Sequence, residues 1–323
     1  MNFILRIVFA LLLLSGPALA TVAERDLATA SEQQHYRISY RGVFTAYIWK
    51  DLADMGLYTF AESEPFNGVP VCRLSMTIDT RNYGFAEFSY PVRLRYDALH
   101  AADLSRTYLV SDHDEGVENV HNIYWFDWTE KSLRSYRKRQ YLLVNPHKVG
   151  SSFFWEKDEY AWEQSGEESL PEFLQDYPRV GDDLSYLIHA KTTAISEPAG
   201  VDVLTMLYAL RAYDYAQSLP DPLAVIHKNK LGYYQLKLMG KESVQLAGQR
   251  QQALHVRIKK EDNRPGSMGQ LDVWLSDDEQ HHILRLEVAA RVGLIRVEMT
   301  GRQGGAMPGS CAATKNAQQR VEP

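Results

Sequence analysis

Apolar and polar residues alternate with a period of two along most of this chain, and this pattern constrains its fold more than any other feature. In the run from Cys72 to Asp79, every second residue is apolar and the residues between them are polar. Successive side chains of a β-strand point to opposite faces, so the alternation predicts strands with one dry and one wet face. Between Tyr36 and Arg139, turn-like sequences such as Asn67-Gly68 and Asn82-Tyr83-Gly84 separate the runs. This arrangement predicts an antiparallel meander.

A second strand-rich half follows residue 222. Four segments there repeat the alternation, and their apolar positions are Tyr234, Leu236 and Leu238; Leu254, Val256 and Ile258; Leu284, Leu286 and Val288; and Ile295, Val297 and Met299. Between the halves, residues 141–198 lose the period and contain several prolines. We interpret this stretch as an irregular insertion that carries short helices.

One segment, Val201 to Gln217, changes to the helical period. Its apolar positions fall on one helix face, and Pro198 and Asp202 mark its start: the face consists of Val203, Met206, Leu207, Leu210 and Tyr213. The predicted fold is therefore mainly β (α+β), with a strongly curved antiparallel sheet or open β-barrel and one amphipathic helix packed on its concave face.

The first twenty residues are typical of a cleavable secretory signal peptide. Arg6 precedes the apolar run Ile7–Leu14, and Ala18-Leu19-Ala20 provides small residues for cleavage near Ala20. No cysteine follows Ala20 for lipid attachment, and no later run approaches the roughly 18 apolar residues of a membrane span. We expect a periplasmic protein without a transmembrane anchor, with one strand-rich domain over residues 21–300 and a disordered Gly- and Ala-rich tail over residues 301–323.

Charge and cysteine content bear on partners and covalent links. The formal net charge is −6, and Arg134–Arg139 is the one dense basic block, so nucleic acid is not an expected partner. The two cysteines are Cys72 and Cys311. We expect them to remain unpaired because Cys72 occupies an inward strand position and Cys311 lies in the tail, although an oxidising compartment leaves a disulfide open.

No sequence motif identifies a catalytic, cofactor or metal site. Five residues of metal-ligating type cluster within ten positions, but neighbouring strand residues point to opposite faces, so a solvated turn is favoured: they are Asp112, His113, Asp114, Glu115 and His121. The pair His281-His282 receives the same interpretation. A Gly-x-Ser-x-Gly elbow and a phosphate-binding glycine loop are absent from the sequence.

The second half resembles a known family. The run Asp202–Arg211 resembles the helix signature of the bacterial domain-of-unknown-function 3108 family, in which an Asp, a Tyr and an Arg recur at these offsets. Gly240–Val244 and Trp274–Asp278 resemble strand ends of the same family, and the resemblance extends from Asp202 to Met299. It implies an exported, strand-rich protein of the Gram-negative envelope, but it does not imply a reaction.

The residues that carry the resemblance are also the candidate site residues: Asp202, Tyr208, Arg211, Glu242 and Trp274. Two interpretations are open. In the first, Asp202 caps the helix and Arg211 pairs with a carboxylate or with carbonyls at a sheet edge, so that the helix is fixed to the sheet. In the second, these side chains line a ligand cavity.

The sequence therefore leads to three functional hypotheses. The first is a non-enzymatic periplasmic protein that binds a lipid, an envelope glycan or another apolar or amphipathic ligand between sheet and helix, without a cofactor. The second is a structural or interaction module with a solid core. The third is a periplasmic hydrolase acting on polysaccharide.

Overall fold

A computed structural model gives the fold of the protein. It describes residues 27, 30–60, 65–116, 119–142, 160–162, 171–175, 189–197, 199–216, 219, 222–227, 230–261, 270–290 and 293–304. The predicted signal peptide lies outside this part of the chain.

The described residues form seventeen strands, three short α-helices and two 3-10 turns. The strands are β1 (Glu32–Gly42), β2 (Lys50–Phe60), β3 (Pro65–Phe66), β4 (Val69–Pro70), β5 (Cys72–Asp79), β6 (Arg93–His100), β7 (Thr107–Glu115), β8 (Asn119–Asp127), β9 (Ser132–Leu142), β10 (Tyr160–Trp162), β11 (His189–Ala194), β12 (Leu223–His227), β13 (Lys230–Leu246), β14 (Gln249–Lys260), β15 (Leu271–Ser276), β16 (Ile283–Ala290) and β17 (Gly293–Gly304). The helices are α1 (Gly84–Ser89), α2 (Glu172–Gln175) and α3 (Val203–Ala209), and the 3-10 turns are η1 (Val43–Thr45) and η2 (Leu210–Ala212).

Fifteen of these strands belong to one large antiparallel sheet. Its order is β10-β9-β8-β7-β6-β5-β2-β1-β17-β16-β15-β14-β13-β12, with β11 also paired to β9, whereas β3 and β4 form a separate small hairpin. The two predicted strand-rich halves are joined where β1 pairs with β17, from Glu32 opposite Gly304 to Gly42 opposite Gly293. The predicted mainly β, antiparallel fold is confirmed.

The sheet curls until strands far apart in its order come close together. The Thr107 N–H at the start of β7 donates to the carbonyl of Gly200 at 3.0 Å. The next residue, Val201, forms a parallel bridge with Val225 of β12, in which its N–H donates to Ala224 O at 3.1 Å. We call Gly200–Val201 the seam segment. Within the described residues no strand ladder closes the sheet, so the curved sheet remains an open barrel whose gap the seam segment spans.

The helix α3 lies inside this curve. Met206, Tyr208 and Leu210 are almost completely buried in the main core, whereas Val203 and Leu207 are only partly buried. The predicted amphipathic helix is therefore an internal one, because the sheet covers it on nearly every side.

The helical segment is also shorter than the predicted Val201–Gln217. It ends in η2 because the Tyr215 hydroxyl donates to the Leu210 carbonyl at 2.7 Å, which supplies that carbonyl with a side-chain donor instead of a helical N–H.

Two predicted boundaries differ from the structure. In the predicted insertion 141–198, the described strands β10 and β11 pair with β9 and extend the sheet, and α2 is a short helix. Residues 301–304 of the predicted tail belong to β17, since their backbone pairs with β1 although their side chains lack an apolar period. The rest of the predicted tail lies outside the described residues.

Cys72 corrects another expectation. Its side chain is buried, as its strand position predicts, but it is disulfide-bonded rather than free. The sequence contains one other cysteine, Cys311, which lies outside the described residues. Strand alternation predicts the direction of the Cys72 side chain, but it contains no information on whether that side chain forms a disulfide.

None of the helices in the described part of the chain has both the length and the apolar character that a membrane span requires.

The burial pattern of the helical segment formed by α3 and η2 generates a stability prediction. We expect Leu210→Ala to lower the free energy of unfolding by about 2–5 kcal/mol, because it leaves a cavity at a fully buried position. Leu207→Ala removes the same atoms at a partly exposed position and should cost clearly less. Urea denaturation of both variants measures the difference, and equal losses would contradict the placement of the helix.

Candidate functional site

The five candidate residues separate into two clusters on opposite faces of the sheet. Asp202, Tyr208 and Arg211 lie in the interior, around α3. Trp274 belongs to a small apolar cluster on the convex face, because its strand neighbours Val273 and Leu275 point into the main core. Glu242 hydrogen-bonds to Trp274 and therefore belongs to the convex cluster.

Asp202 caps the N-terminus of α3. Its Oδ1 accepts hydrogen bonds from the N–H groups of Leu204 at 2.8 Å and Thr205 at 3.3 Å. The same carboxylate accepts bonds from the Tyr96 hydroxyl at 3.1 Å and the Thr107 hydroxyl at 2.8 Å. Through these hydrogen bonds Asp202 fixes the helix start to β6 and β7.

Arg211 fixes the opposite end of the helical segment. Its Nη1 and Nη2 donate to the two carboxylate oxygens of Glu32 at 2.7 and 3.0 Å, and its Nε donates to the Gln280 carbonyl at 3.1 Å. The Arg211 side chain has no exposed surface and that of Glu32 is 1% exposed. This bidentate pair joins η2 to β1 and to the turn between β15 and β16.

Further polar side chains surround the buried ion pair. Gln34 donates to Glu32 Oε1 at 2.9 Å, and Tyr36 donates to Gln34 Oε1. His282 Nδ1 lies 3.2 Å from Arg211 Nη2 and 3.2 Å from Glu32 Oε1. We call Glu32, Gln34, Tyr36, Arg211 and His282 the anchor cluster.

The anchor cluster shifts the ionisation of its members. Burial alone raises the pKa of Glu32, but hydrogen bonds from His282 and Arg211 and the charge of Arg211 lower the pKa to about 2. Burial raises the pKa of the Tyr36 hydroxyl far above its usual range. Near neutral pH the cluster therefore contains a charged Glu32 paired with a charged Arg211 and a neutral Tyr36.

Tyr208 lies between this cluster and the helix start. Its ring centroid is 4.9 Å from the guanidinium carbon of Arg211 and 6.4 Å from the centroid of the His100 ring. His100 is buried, and its Nδ1 lies 2.8 Å from the Ala101 carbonyl. Its Nε2 has no hydrogen-bond partner among the described residues, and burial lowers the pKa of the ring.

The convex cluster is built around His255. Its Nδ1 lies 2.8 Å from Glu242 Oε1, its Nε2 lies 2.7 Å from Asp272 Oδ1, and its ring stacks on Trp274 with centroids 4.5 Å apart. Trp274 Nε1 donates to Glu242 Oε2 at 2.9 Å, and this bond is the main cause of the lowered pKa of Glu242. These contacts link β13, β14 and β15 across the outer face of the sheet.

The other histidine candidates behave differently from one another. His113 and His121 face each other across the β7–β8 hairpin with ring centroids 5.0 Å apart, and His121 Nε2 lies 2.8 Å from Ser111 Oγ. In the part of the chain that the structure describes, no three His, Cys, Asp or Glu side chains are grouped to hold a metal ion. His282, expected in a solvated loop, is instead buried in the anchor cluster because its turn folds over Arg211.

Two members of the anchor cluster were detectable from sequence. Glu32 and Gln34 lie an even number of positions from the buried Tyr36 and Ile38 on the same strand, so their side chains point inward as well. Polar residues at inward positions need an internal partner, and that requirement is the signal which sequence analysis missed.

Comparison with known proteins finds a family model that matches part of the second half of the chain. Residues 182–300 match the model of a family described as protein of unknown function, DUF3108. The resemblance noted from Asp202 to Met299 is thereby confirmed. The DUF3108 segment includes Arg211 and His282 but not Glu32, so the buried ion pair joins this segment to a strand outside it.

No curated protein matches the chain. Thirteen chains of solved structures match it, among them a β-barrel-like protein of the domain of unknown function DUF1849 from Brucella abortus. That structure has 8% sequence identity and a TM-score of 0.47, and the match covers 85% of this chain and 97% of the other.

The buried Glu32–Arg211 ion pair should strongly affect the free energy of unfolding. We expect Arg211→Met to lower the free energy of unfolding by about 3–5 kcal/mol, because it leaves the Glu32 carboxylate buried without its charge partner. The double variant Glu32→Gln/Arg211→Met should be more stable than Arg211→Met alone. Urea denaturation of the set measures the coupling, and simple additivity of the two single losses would contradict it.

The lowered pKa of Glu32 predicts that its contribution to the free energy of unfolding depends on pH in the acid range. Its contribution to stability is complete above the ordinary pKa of 4.5 and is lost as the pH falls from 4.5 towards 2, because the unfolded state then binds a proton that the folded state does not. The difference in unfolding free energy between wild type and Glu32→Gln should shrink over this range. A difference that stays constant with pH would show that Glu32 is not charged in the anchor cluster.

Proposed function

We propose that the protein is a non-enzymatic periplasmic envelope protein that binds a lipid or another apolar or amphipathic ligand between α3 and the concave face of the sheet. The observation that carries the proposal is a set of apolar side chains that pack against the main core but remain partly exposed. These are Val203 and Leu207 on one face of α3, and Leu236 and Leu238 at inward positions of β13. An apolar surface of this kind inside a curved sheet suits an apolar ligand.

The interior carboxylates favour binding over hydrolysis. Asp202 and Glu32 both have hydrogen-bond donors that fix α3. Asp202 and the Glu32 partner Arg211 lie nine residues apart along the helical segment, which corresponds to about 13 Å. Both carboxylates are therefore bonded at opposite ends of the helical segment, whereas glycoside hydrolysis requires two carboxylates that flank one substrate bond.

Two features support an oxidising compartment outside the cytoplasm. The first is the predicted signal peptide with cleavage near Ala20, and the second is the disulfide bond at Cys72. Disulfides persist in the periplasm and are rare in the cytosol. Because Cys311 is the other cysteine of the sequence, we propose that it is the partner of Cys72.

Mass spectrometry of the protein from a periplasmic extract tests export and the disulfide together. The intact mass should correspond to a chain that begins at Thr21, and digestion without reductant should yield the peptides of Cys72 and Cys311 as one linked species. A full-length chain confined to the cytoplasm would contradict export. Export with both thiols free would contradict the disulfide alone.

Lipid extraction from the natively purified protein tests ligand binding. Wild type should retain a lipid, and Leu207→Gln should retain roughly tenfold less, because burial of one leucine side chain contributes more than a tenfold factor. Met239→Gln is a matched control, since Met239 is an exposed apolar residue. An empty wild-type protein, under conditions in which a known lipid carrier keeps its lipid, would favour the structural module with a solid core.

A further inference from the structure

Large apolar side chains are exposed together at one end of the sheet. Six of the nine exposed large apolar residues among those described lie in the connection between β1 and β2 or in α1, and their side chains are 53% to 69% exposed: Val43, Phe44, Tyr47, Ile48, Phe85 and Phe88. We call these six residues the apolar rim. Clustered exposed apolar residues commonly mark an interaction site.

The two connections that form the rim are neighbours. Strand β2 begins directly after the first connection and pairs with β5, and a short turn joins β5 to α1. Asn82 Nδ2 donates to Asp54 Oδ2 at 2.8 Å, and the Tyr83 hydroxyl donates to Asp54 Oδ1 at 2.5 Å. These bonds hold the chain that leads into α1 against β2, so both connections project from the same end of the sheet.

The first connection is ordered by its backbone. The Tyr47 N–H donates to Gly42 O at 2.9 Å and the Ile48 N–H donates to Thr45 O at 2.9 Å. Ala46 and Tyr47 both adopt left-handed backbone conformations, with φ of 50° and 60°, which are unusual for residues other than glycine. Backbone strain of this kind persists where the surrounding structure fixes it, so the apolar side chains are presented on a defined turn.

The charges around the rim select an anionic partner. The nearby carboxylates already have partners, since Asp51 accepts from Ser39 Oγ at 2.8 Å, Asp79 from Arg81 Nε at 2.7 Å, and Glu87 of α1 from Arg93 Nη1 at 3.0 Å. Arg41 and Lys50 flank the first connection and are exposed, and no carboxylate of the described residues forms an ion pair with either. The Arg41 guanidinium lies over the ring of Trp49, 4.9 Å from its centroid.

The rim lies at the opposite end of the sheet from the anchor cluster. The anchor cluster contains Glu32 at the start of β1, whereas the first connection follows the other end of the same strand at Gly42. A projecting turn with aromatic and aliphatic tips and flanking cations has the composition that inserts into a membrane interface.

We propose that the apolar rim docks the protein on an anionic phospholipid bilayer. The side chains of Phe44, Tyr47 and Ile48 enter the interface between headgroups and acyl chains, and Arg41 and Lys50 contact the lipid phosphates. This docking does not require a ligand bound beside α3. A negative result in the lipid extraction would therefore count against the ligand-binding function alone, and a negative result in vesicle binding would count against the docking alone.

Vesicle flotation tests the docking. The mature protein should float with vesicles of phosphatidylethanolamine and phosphatidylglycerol and much less with vesicles of phosphatidylcholine. Phe44→Ser/Ile48→Ser should lower the partition coefficient at least about tenfold, because burial of each side chain contributes a factor of that size. Phe85→Ser/Phe88→Ser tests the second connection independently. The control Val69→Ser/Met239→Ser removes exposed apolar side chains outside the rim and should leave binding unchanged.

A variant without the two flanking cations tests whether binding requires anionic lipid. Arg41→Gln/Lys50→Gln should reduce binding to the anionic vesicles and weaken its dependence on salt, with the rim side chains intact. Wild-type binding by both rim variants, or a wild type that does not float, would overturn the proposal. A wild type that forms a dimer which the rim variants abolish, without flotation, would assign the surface to a second copy of the chain instead.

Discussion

The fold depends on a buried, hydrogen-bonded side chain at each end of an internal helical segment. Asp202 binds β6 and β7 at the start, and Arg211 binds Glu32 of β1 and the β15–β16 turn at the end. Separating the buried Arg211–Glu32 ion pair costs several kcal/mol, and releasing Asp202 leaves buried hydrogen-bonding groups without partners, so neither end can be released without a large loss of free energy. The helical segment therefore holds strands of both halves of the sheet in a single arrangement, and Arg211 and Glu32 carry this link between the DUF3108 segment and β1.

The sequence predicts the strands well because alternation is a local property of each run. It also predicts the start of the helix, since Asp202 is a capping residue by type and position. The predicted end of the helix was wrong. The helix ends where the Tyr215 hydroxyl bonds to the Leu210 carbonyl, and the direction of the Tyr215 side chain depends on packing. The pairing of β11 with β9 was missed for a similar reason, since partner choice at a sheet edge depends on contacts distant in sequence.

The candidate site was harder to predict than the fold. The family signature groups Arg211 with Trp274, but the structure places them on opposite faces of the sheet, in the anchor cluster and the convex cluster. The alternation along β1 indicates that the Glu32 side chain points inward, but only the curvature of the sheet brings it to Arg211. Phe44 and Ile48 illustrate the opposite error, because their apolar character suggests a core position, whereas their turn leaves them exposed.

The seam segment has a mechanical consequence. Gly200 and Val201 bond to β7 on one side and β12 on the other, and the next residue is the helix cap Asp202. Widening of the gap between these strands must break a backbone bond at the seam or pull on the cap, which is itself bonded to Thr107 of β7. Opening of the barrel wall is therefore coupled to displacement of its inner helix through three consecutive residues, Gly200, Val201 and Asp202.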